Sequence, residues 1–298
     1  MTVINTNIAA NITANALTKN ERAMSQAMER LSTGQRINNA GDDAAGLAIS
    51  SRMTSQINGL NMAVRNANDA ISLVQTVDGA LVEVTNMLQR MRELAVQANS
   101  ESYSATDRDL LEAEFDALQL AIQDINDDTQ WNGTALLSGG TTFTFSVGAN
   151  ADQTVAITVK DFETNGANAA SASLGIFENL DATGGVLAYA DDNSNDLIGL
   201  SVDTTSLANT AITQVDNAIT RVQAHRADLG ATISRLEYTA DNLANVSQNT
   251  SASRSRVLDA DYAAETTELA RTQIIQQAAT AMLSQANQQA QTVLALLR

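Results

Sequence analysis

Apolar residues recur at alternating steps of three and four along one unbroken stretch of this chain: Met53, Ile57, Leu60, Val64, Ala67, Ile71, Val74, Val77, Leu81, Val84, Leu88, Met91 and Ala95. One extra step of three falls beside Asp78-Gly79 and reads as a stammer. The spacing lays one seam along a long helix, and a seam that long has to be buried against partner helices. Leu111, Phe115, Leu118, Ile122 and Ile125 repeat it. So do Ile212, Val215, Ile219, Val222, Arg226, Leu229, Ile233, Leu236, Ala240 and Leu243. Three helices from opposite halves of the chain are therefore expected to share one elongated bundle, with both chain ends at one pole.

The residue palette agrees. The 298 residues are 44% apolar but only 3% aromatic, so the core has to be filled by Ala, Leu, Ile, Val and Met. Proline, which would remove a backbone donor and kink a helix, is absent, and so is cysteine. No apolar run is long enough to cross a bilayer, and Met1–Thr18 has neither a basic start nor a continuous apolar stretch. Both features argue against membrane insertion and a cleaved secretory leader.

Charge is concentrated in the middle of the chain. Residues 101–210 carry 18 acidic and 2 basic side chains, whereas residues 1–100 carry 8 of each and residues 211–298 carry 8 acidic and 7 basic. The ends go further, because Met1–Thr18 and Thr272–Leu297 contain no charged side chain at all. Chain ends are usually the most solvated part of a protein, and these are composed for burial. In the C-terminal stretch Ile275, Ala279, Met282, Ala286, Ala290, Val293 and Leu297 form a helical seam; the N-terminal stretch offers Ile4, Ile8, Ile12, then Leu17, Met24, Met28 and Leu31. An uncharged Gln, Asn and Ala face can pack against protein on several sides without desolvating ions. Two outcomes fit: an arm folded back on its own domain, or repeated packing between copies of the chain.

Two stretches break the helical pattern. Phe143, Phe145 and Val147 alternate with polar residues, turn through Gly148-Ala149-Asn150, and resume with Val155, Ile157 and Val159, the mark of a β-hairpin. With the turn-rich, acidic residues that follow, it is expected to form a small β and loop cap at the tip of the bundle. Asn38 to Asp43, inside "LSTGQRINNAGDDAAGLAISSRM", separates the uncharged N-terminal helix from the charged long one. Asp42 or Asp43 is placed to cap the latter. The polar "SQNTSASRSRVLDADYAAE" is expected to interrupt the returning helix at the same level.

Sites for chemistry are scarce. The one histidine, His225, rules out a paired-histidine metal helix, and its heptad setting marks it as a surface or interface residue. Asp124–Asp128 begins like a calcium loop, but Thr129 and Ala135 replace the required Gly and bidentate Glu; Asp191–Asp196 fails in the same way. Both read as solvated turns. No phosphate-binding Gly loop occurs, and an acidic chain repels nucleic acid. The expectation is a protein without enzymatic activity, metal or cofactor.

Taken together, "LSTGQRINNAGDDAAGLAISSRM", "LQRMRELAVQANS", "WNGTALL", "HRADLGATISRLE" and "LDADYAAETTELARTQIIQQAATAMLSQANQQAQTVLALLR" resemble bacterial flagellin, across about residues 1–140 and 205–298. About 65 residues separate the matched regions, so the large outer domains of longer members are missing, and Trp131 stands where Phe is more usual. The resemblance implies a mainly α protein in three parts. Residues 1–42 with 256–298 would form inner filament-core helices, 43–140 with 206–255 an outer coiled-coil bundle, and 141–205 a short variable segment. It implies export in unfolded form through the flagellar type III apparatus, then self-assembly into an extracellular filament for swimming. Core packing would fall to Ile4, Ile8, Ile12, Ile275, Met282, Ala286, Val293 and Leu297. An export chaperone, junction and cap proteins would be partners. An innate immune Toll-like receptor would recognise Arg90, Leu94 and Glu114, with Arg90 and Leu94 lying beside the seam. A hook-filament junction protein, and outside the family a soluble coiled-coil adaptor or adhesin, remain as alternatives.

Overall fold

The computed structural model describes residues 7–138, 140–160 and 200–296, the last eight of these by their backbone alone. Five long helices dominate the described residues: α1 (Ile8–Thr33), α2 (Ala44–Ala98), α3 (Ala105–Asp128), α4 (Thr205–Leu258) and α5 (Tyr262–Leu296). Among the described residues, four short strands lie between α3 and α4: β1 (Gln130–Trp131), β2 (Thr134–Ala135), β3 (Thr142–Ser146) and β4 (Thr154–Thr158). The chain divides into two compact units, Met1–Asn58 with Ser247–Arg298, and Gly59–Val246.

In the second unit, α2 and α4 run antiparallel. Arg226 pairs with Asp78 at 2.7 Å and Arg92 with Asp216 at 2.6 Å, so numbering falls along α4 as it rises along α2. The fully buried line on α2 is Leu60, Ala63, Ala67, Ala70, Val74, Val77, Leu81, Val84, Leu88, Met91, Ala95 and Ala98. From Leu60 onward its steps alternate three and four; with buried Ile57 included, the consecutive threes fall at Ile57, Leu60 and Ala63 and not beside Asp78-Gly79. The sequence-based seam strayed because Val64 and Ile71 are bulkier than Ala63 and Ala70, yet the alanines take the inner positions and the two larger side chains are half-buried. The same holds on α4, where Ala211, Ala218 and His225 are buried while Ile212, Ile219 and Arg226 lie half-buried beside them. Small residues at the seam let helix axes approach closely, and the larger neighbours close the flanks.

Leu73 and Leu94 are also fully buried, each one position before the seam. The buried stripe on α2 is thus wider than two positions per heptad, as a helix covered by more than one neighbour requires. On α3, Phe115, Gln119, Ile122 and Asn126 face inward, and the Gln119 amide donates to the Leu200 carbonyl at 2.9 Å. Arg108, in the first turn of α3, donates to the Ala98 and Ser100 carbonyls and so caps the end of α2. A capping box of Ser104 and Asp107 starts α3.

After α3, Asn132 and Gly133 both take positive φ, 50° and 79°, in the two-residue turn joining β1 to β2. β3 and β4 then pair antiparallel, Phe143 opposite Ile157 and Phe145 opposite Val155. The hairpin flanks α2 instead of sitting past the helix ends. Asn66 donates to the Ser146 carbonyl at 2.9 Å, and a Cβ at Gly59 would meet Ala149 at 3.2 Å. At its other end the Lys160 amide faces the His225 Nε2 at 3.5 Å. Val155, Ile157 and Val159 belong to the same core as Val74 and Val222, so the hairpin takes over the cover that α3 gives up at Asp128. Apolar alternation identifies a hairpin but not the surface it lands on.

His225 is buried in the bundle, so of the two placements its heptad setting suggested, surface or interface, the surface one is corrected. Burial, helped by the nearby Lys160 charge, lowers its pKa to about 4, so the ring is neutral at physiological pH. Asp124–Asp128 is likewise no turn. It forms the last turn of α3 with Asn126 inward, and Asp191–Asp196 lies outside the described residues. Among the described residues no cluster of His, Cys, Asp and Glu could hold a metal ion.

Candidate assembly and recognition surfaces

The first unit is organised around its connectors. Gly34 ends α1 in the left-handed conformation, φ 69°, and its amide closes on the Arg30 carbonyl at 2.8 Å. The chain then pairs briefly with the other connector: the Arg36 amide donates to Leu258 at 2.7 Å and the Ala260 amide to Gly34 at 3.0 Å. The two breaks therefore meet at one level. The second is shorter than its composition suggested, because Ser247–Leu258 stays helical within α4 and only Asp259–Asp261 separates it from α5. Polar Ser, Asn and Arg lower helix propensity only modestly, so their presence alone does not end a helix.

The two adjacent aspartates divide the work at the first break. Asp43 Oδ1 accepts from the Gly46 amide at 2.9 Å and caps α2. Asp42 folds back on the loop, accepting from the Asn38 and Asn39 amides at 3.1 and 3.0 Å and from Gln26 at 3.0 Å. Those backbone donors hold its carboxyl below the ordinary Asp range. Gly46 leaves room for the cap, since a Cβ there would lie 2.5 Å from the Asp43 carboxylate and 2.6 Å from the buried Ile37.

α1 and α5 pair antiparallel through three links spread along their length. Asn7 donates to the Ala286 carbonyl at 3.1 Å, buried Asn20 to the Thr272 carbonyl at 2.7 Å, and Arg30 pairs with Glu265 at 3.0 Å. The more covered positions on α1 are Ala10, Thr13, Leu17, Asn20, Met24, Ala27 and Leu31; on α5 they are Glu265, Leu269, Thr272, Gln276, Ala279, Leu283 and Ala286. Both series step by three and four, so each helix turns one line toward the other.

That line is not the one the largest apolar side chains mark. Ile8, Ile12, Ile274, Ile275 and Met282 are all exposed, with Ile12 at 63% and Ile274 at 67%. Of the expected core-packing residues, Ala286 faces α1, whereas Ile8, Ile12, Ile275 and Met282 point away from it. Ile4 and Leu297 lie outside the described residues, as does the side chain of Val293. The α1–α5 line carries Leu17, Met24, Leu31, Leu269 and Leu283 beside its small and amide-bearing residues, so the contact closes without Ile8, Ile12, Ile274, Ile275 and Met282. Each such side chain gains about 1.5–3 kcal/mol on burial, and Thr272–Leu297 has no charge to oppose it.

A second surface lies on the other unit. The Arg90 guanidinium holds two carboxylates, Glu93 at 2.9 Å and Glu114 at 2.8 Å, and all three side chains are exposed or half-exposed. Hydrogen bonds to both carboxylates raise the Arg90 pKa above its usual value. Leu94 does not belong to this surface. It is completely buried in the α2 core, because that helix is covered on two sides and its inner stripe reaches the position before the seam. The apolar residue standing beside Glu114 is instead Leu110, one turn earlier on α3 and 74% exposed. An exposed Leu four residues before a Glu carries no signal in a sequence read for buried seams.

A pair of helices from the two ends of one chain, with bulky apolar side chains turned outward, marks a surface for contact with other protein, as a subunit carries. Comparison with known proteins gives the particular class. Residues 4–142 match the bacterial flagellin N-terminal helical region and residues 212–297 the bacterial flagellin C-terminal helical region. A flagellin of Bacillus subtilis (strain 168) is 43% identical over 312 aligned positions, covering 99% of both chains. The flagellar filament 33 kDa core protein of Treponema phagedenis is 39% identical, covering 99% of this chain and all of its own. A solved structure of a putative flagellar hook-associated protein from Vibrio parahaemolyticus shares the fold, with TM-score 0.55 at 12% identity over 73% of this chain and 100% of its own. The chain belongs to the bacterial flagellin family. It is a structural subunit that polymerises with itself into the extracellular flagellar filament of motile bacteria, and not an enzyme. No helix among the described residues is long and apolar enough to cross a membrane.

Proposed function

We propose that the α1–α5 pair is the part of the subunit buried at the filament core, and that Ile8, Ile12, Ile275 and Met282, with Ile4, Val293 and Leu297 beyond them, pack between subunits there. In the same reading residues 43–140 with 206–255 belong to the outer part of the filament and residues 141–205 to its short variable segment. The observation that carries this reading is the exposure of bulky apolar side chains on helix segments, up to Thr18 in α1 and from Thr272 in α5, that carry no charged side chain. Ala286 supports the helix pair within one subunit, so a charge placed there would disturb the monomer as well. Ile275→Glu is the cleaner test. Its carboxylate is solvated in the monomer and desolvated in the polymer, at a cost of several kcal/mol. Seeded growth followed by sedimentation is expected to show a critical concentration raised at least a hundredfold with unchanged helical circular dichroism; ordinary growth discards the reading.

Export in unfolded form through the flagellar type III apparatus belongs to the same proposal, with an export chaperone, junction proteins and a distal cap as partners. A chain without Cys or Pro supports it, since neither disulfides nor slow prolyl isomers impede threading and refolding. Recognition of the monomer by an innate immune Toll-like receptor is placed at the Arg90–Glu114 surface, where a planar donor and exposed carboxylates flank the Leu110 side chain.

A further inference from the structure

We propose that Met282 is a redox-sensitive modification site, at which a peroxide converts the thioether to the sulfoxide and so withdraws the subunit from assembly. The inference rests on the reading of the α1–α5 pair as the assembly core. The eight methionines of the chain are unequal. Met91 is fully buried in the α2 core, and Met24, Met53 and Met87 are partly covered. Met28 and Met62 are exposed at 46% and 47%, and the Arg65 guanidinium lies against the Met62 sulfur. Met282 is the most exposed of those described, at 58%, and lies in the 26 uncharged residues of Thr272–Leu297.

Thioether oxidation follows access to the sulfur. One oxygen of hydrogen peroxide is transferred to the sulfur lone pair as the S–O bond forms and the O–O bond breaks, and the remaining oxygen leaves as water. The sulfur is oxidised, the peroxide is reduced, and no other reactant is needed. The product places a strong hydrogen-bond acceptor where the thioether was apolar. In the monomer water solvates it, and the α1–α5 contact is untouched because Met282 lies off the covered line of α5. In a polymer the same oxygen is carried into an apolar contact once per subunit, where an unpaired acceptor is costly. A sulfoxide reductase reverses the change.

The experiment treats full-length monomer with hydrogen peroxide, maps sulfoxides by peptide mass spectrometry, and measures seeded growth beside Met282→Leu. Expected are faster oxidation at Met282 than at Met91, a critical concentration raised at least tenfold with unchanged circular dichroism, rescue by methionine sulfoxide reductase, and a critical concentration of Met282→Leu that the same dose leaves unchanged relative to its own untreated sample. Normal growth of protein carrying the Met282 sulfoxide overturns the proposal. Equal peroxide sensitivity of Met282→Leu also overturns it and moves the effect to Met28 or Met62. Preformed filaments treated in parallel separate this failure from failure of the underlying reading: a Met282 that oxidises there as fast as in the monomer shows that α5 is not covered by assembly.

Discussion

His225 is the buried ionisable side chain with the clearest consequence for stability. Its folded pKa of about 4 lies below the ordinary histidine value of 6.5, so at any pH between them the unfolded chain binds more protons than the folded one. Stability therefore falls as pH drops from 6.5 toward 4, by about 3 kcal/mol in all, a large share of an ordinary domain's margin. Burial raises the pKa values of Glu112 and Asp116, which acts in the opposite sense over part of that range. The contribution of His225 is thus best isolated by difference. His225→Gln keeps an acceptor for the Lys160 amide and removes the titration, so urea melts of the variant should lose less stability than wild type between pH 6.5 and 4. Parallel pH profiles for the two proteins rule it out. Arg90 and Leu94 separate at the same scale. Leu94→Ala is expected to cost about 2–5 kcal/mol of folding stability by opening a cavity. Arg90→Asp should leave the melting curve nearly unchanged, since only exposed, solvent-screened ion pairs are lost, yet abolish receptor signalling by the monomer in a reporter-cell assay. Full signalling by folded Arg90→Asp would move the recognition surface elsewhere.

The helices were legible from spacing, and their number, order and long-range pairing follow from apolar residues at steps of three and four. Which side chain stands innermost was not, because hydrophobicity ranks Ile above Ala whereas a close helix approach selects for size. Ala70 and Ile71 are adjacent, and the spacing of either fits a helix; only the partner helix makes Ala70 the buried one. The same limit hid Leu94 and His225 in the core and left Ile275 and Met282 outside it. A seam on one helix says that a face is covered, not by what or from how many sides. An Asp cap at the first break, by contrast, was readable from local chemistry alone as Asp42 or Asp43, and the structure gives it to Asp43, whose partner is three residues away. This distinction is measurable. Ala70→Leu should overpack the seam and cost about 1–3 kcal/mol, whereas Ile71→Leu, half-buried on the flank and of equal volume, should cost less than about 1.5 kcal/mol. If thermal melts rank the two the other way, the assignment of the inner line is wrong.

For the molecule as a whole, the decisive fact is that each compact unit is assembled from distant parts of the chain. The Asn7–Ala286 contact spans 279 positions, and the Arg92–Asp216 pair spans 124. Closing loops of that length costs entropy before any helix contact repays it, so the N-terminal helices have no complete core until the C-terminal ones arrive. A chain delivered unfolded must make those closures at its destination, and slow covalent steps would hold it open. Prolyl isomerisation takes tens to hundreds of seconds, and this sequence offers no bond that undergoes it. A double-jump experiment tests the consequence. The monomer is unfolded in denaturant for delays from one second to one hour, returned to native conditions, and its helical signal followed by stopped flow. The refolding rates and amplitudes should not depend on the delay, because no population of wrong isomers accumulates in the unfolded state. A slow phase that grows with delay over the seconds-to-minutes range would place another slow covalent or conformational step in the unfolded chain and remove the kinetic support for export in that form.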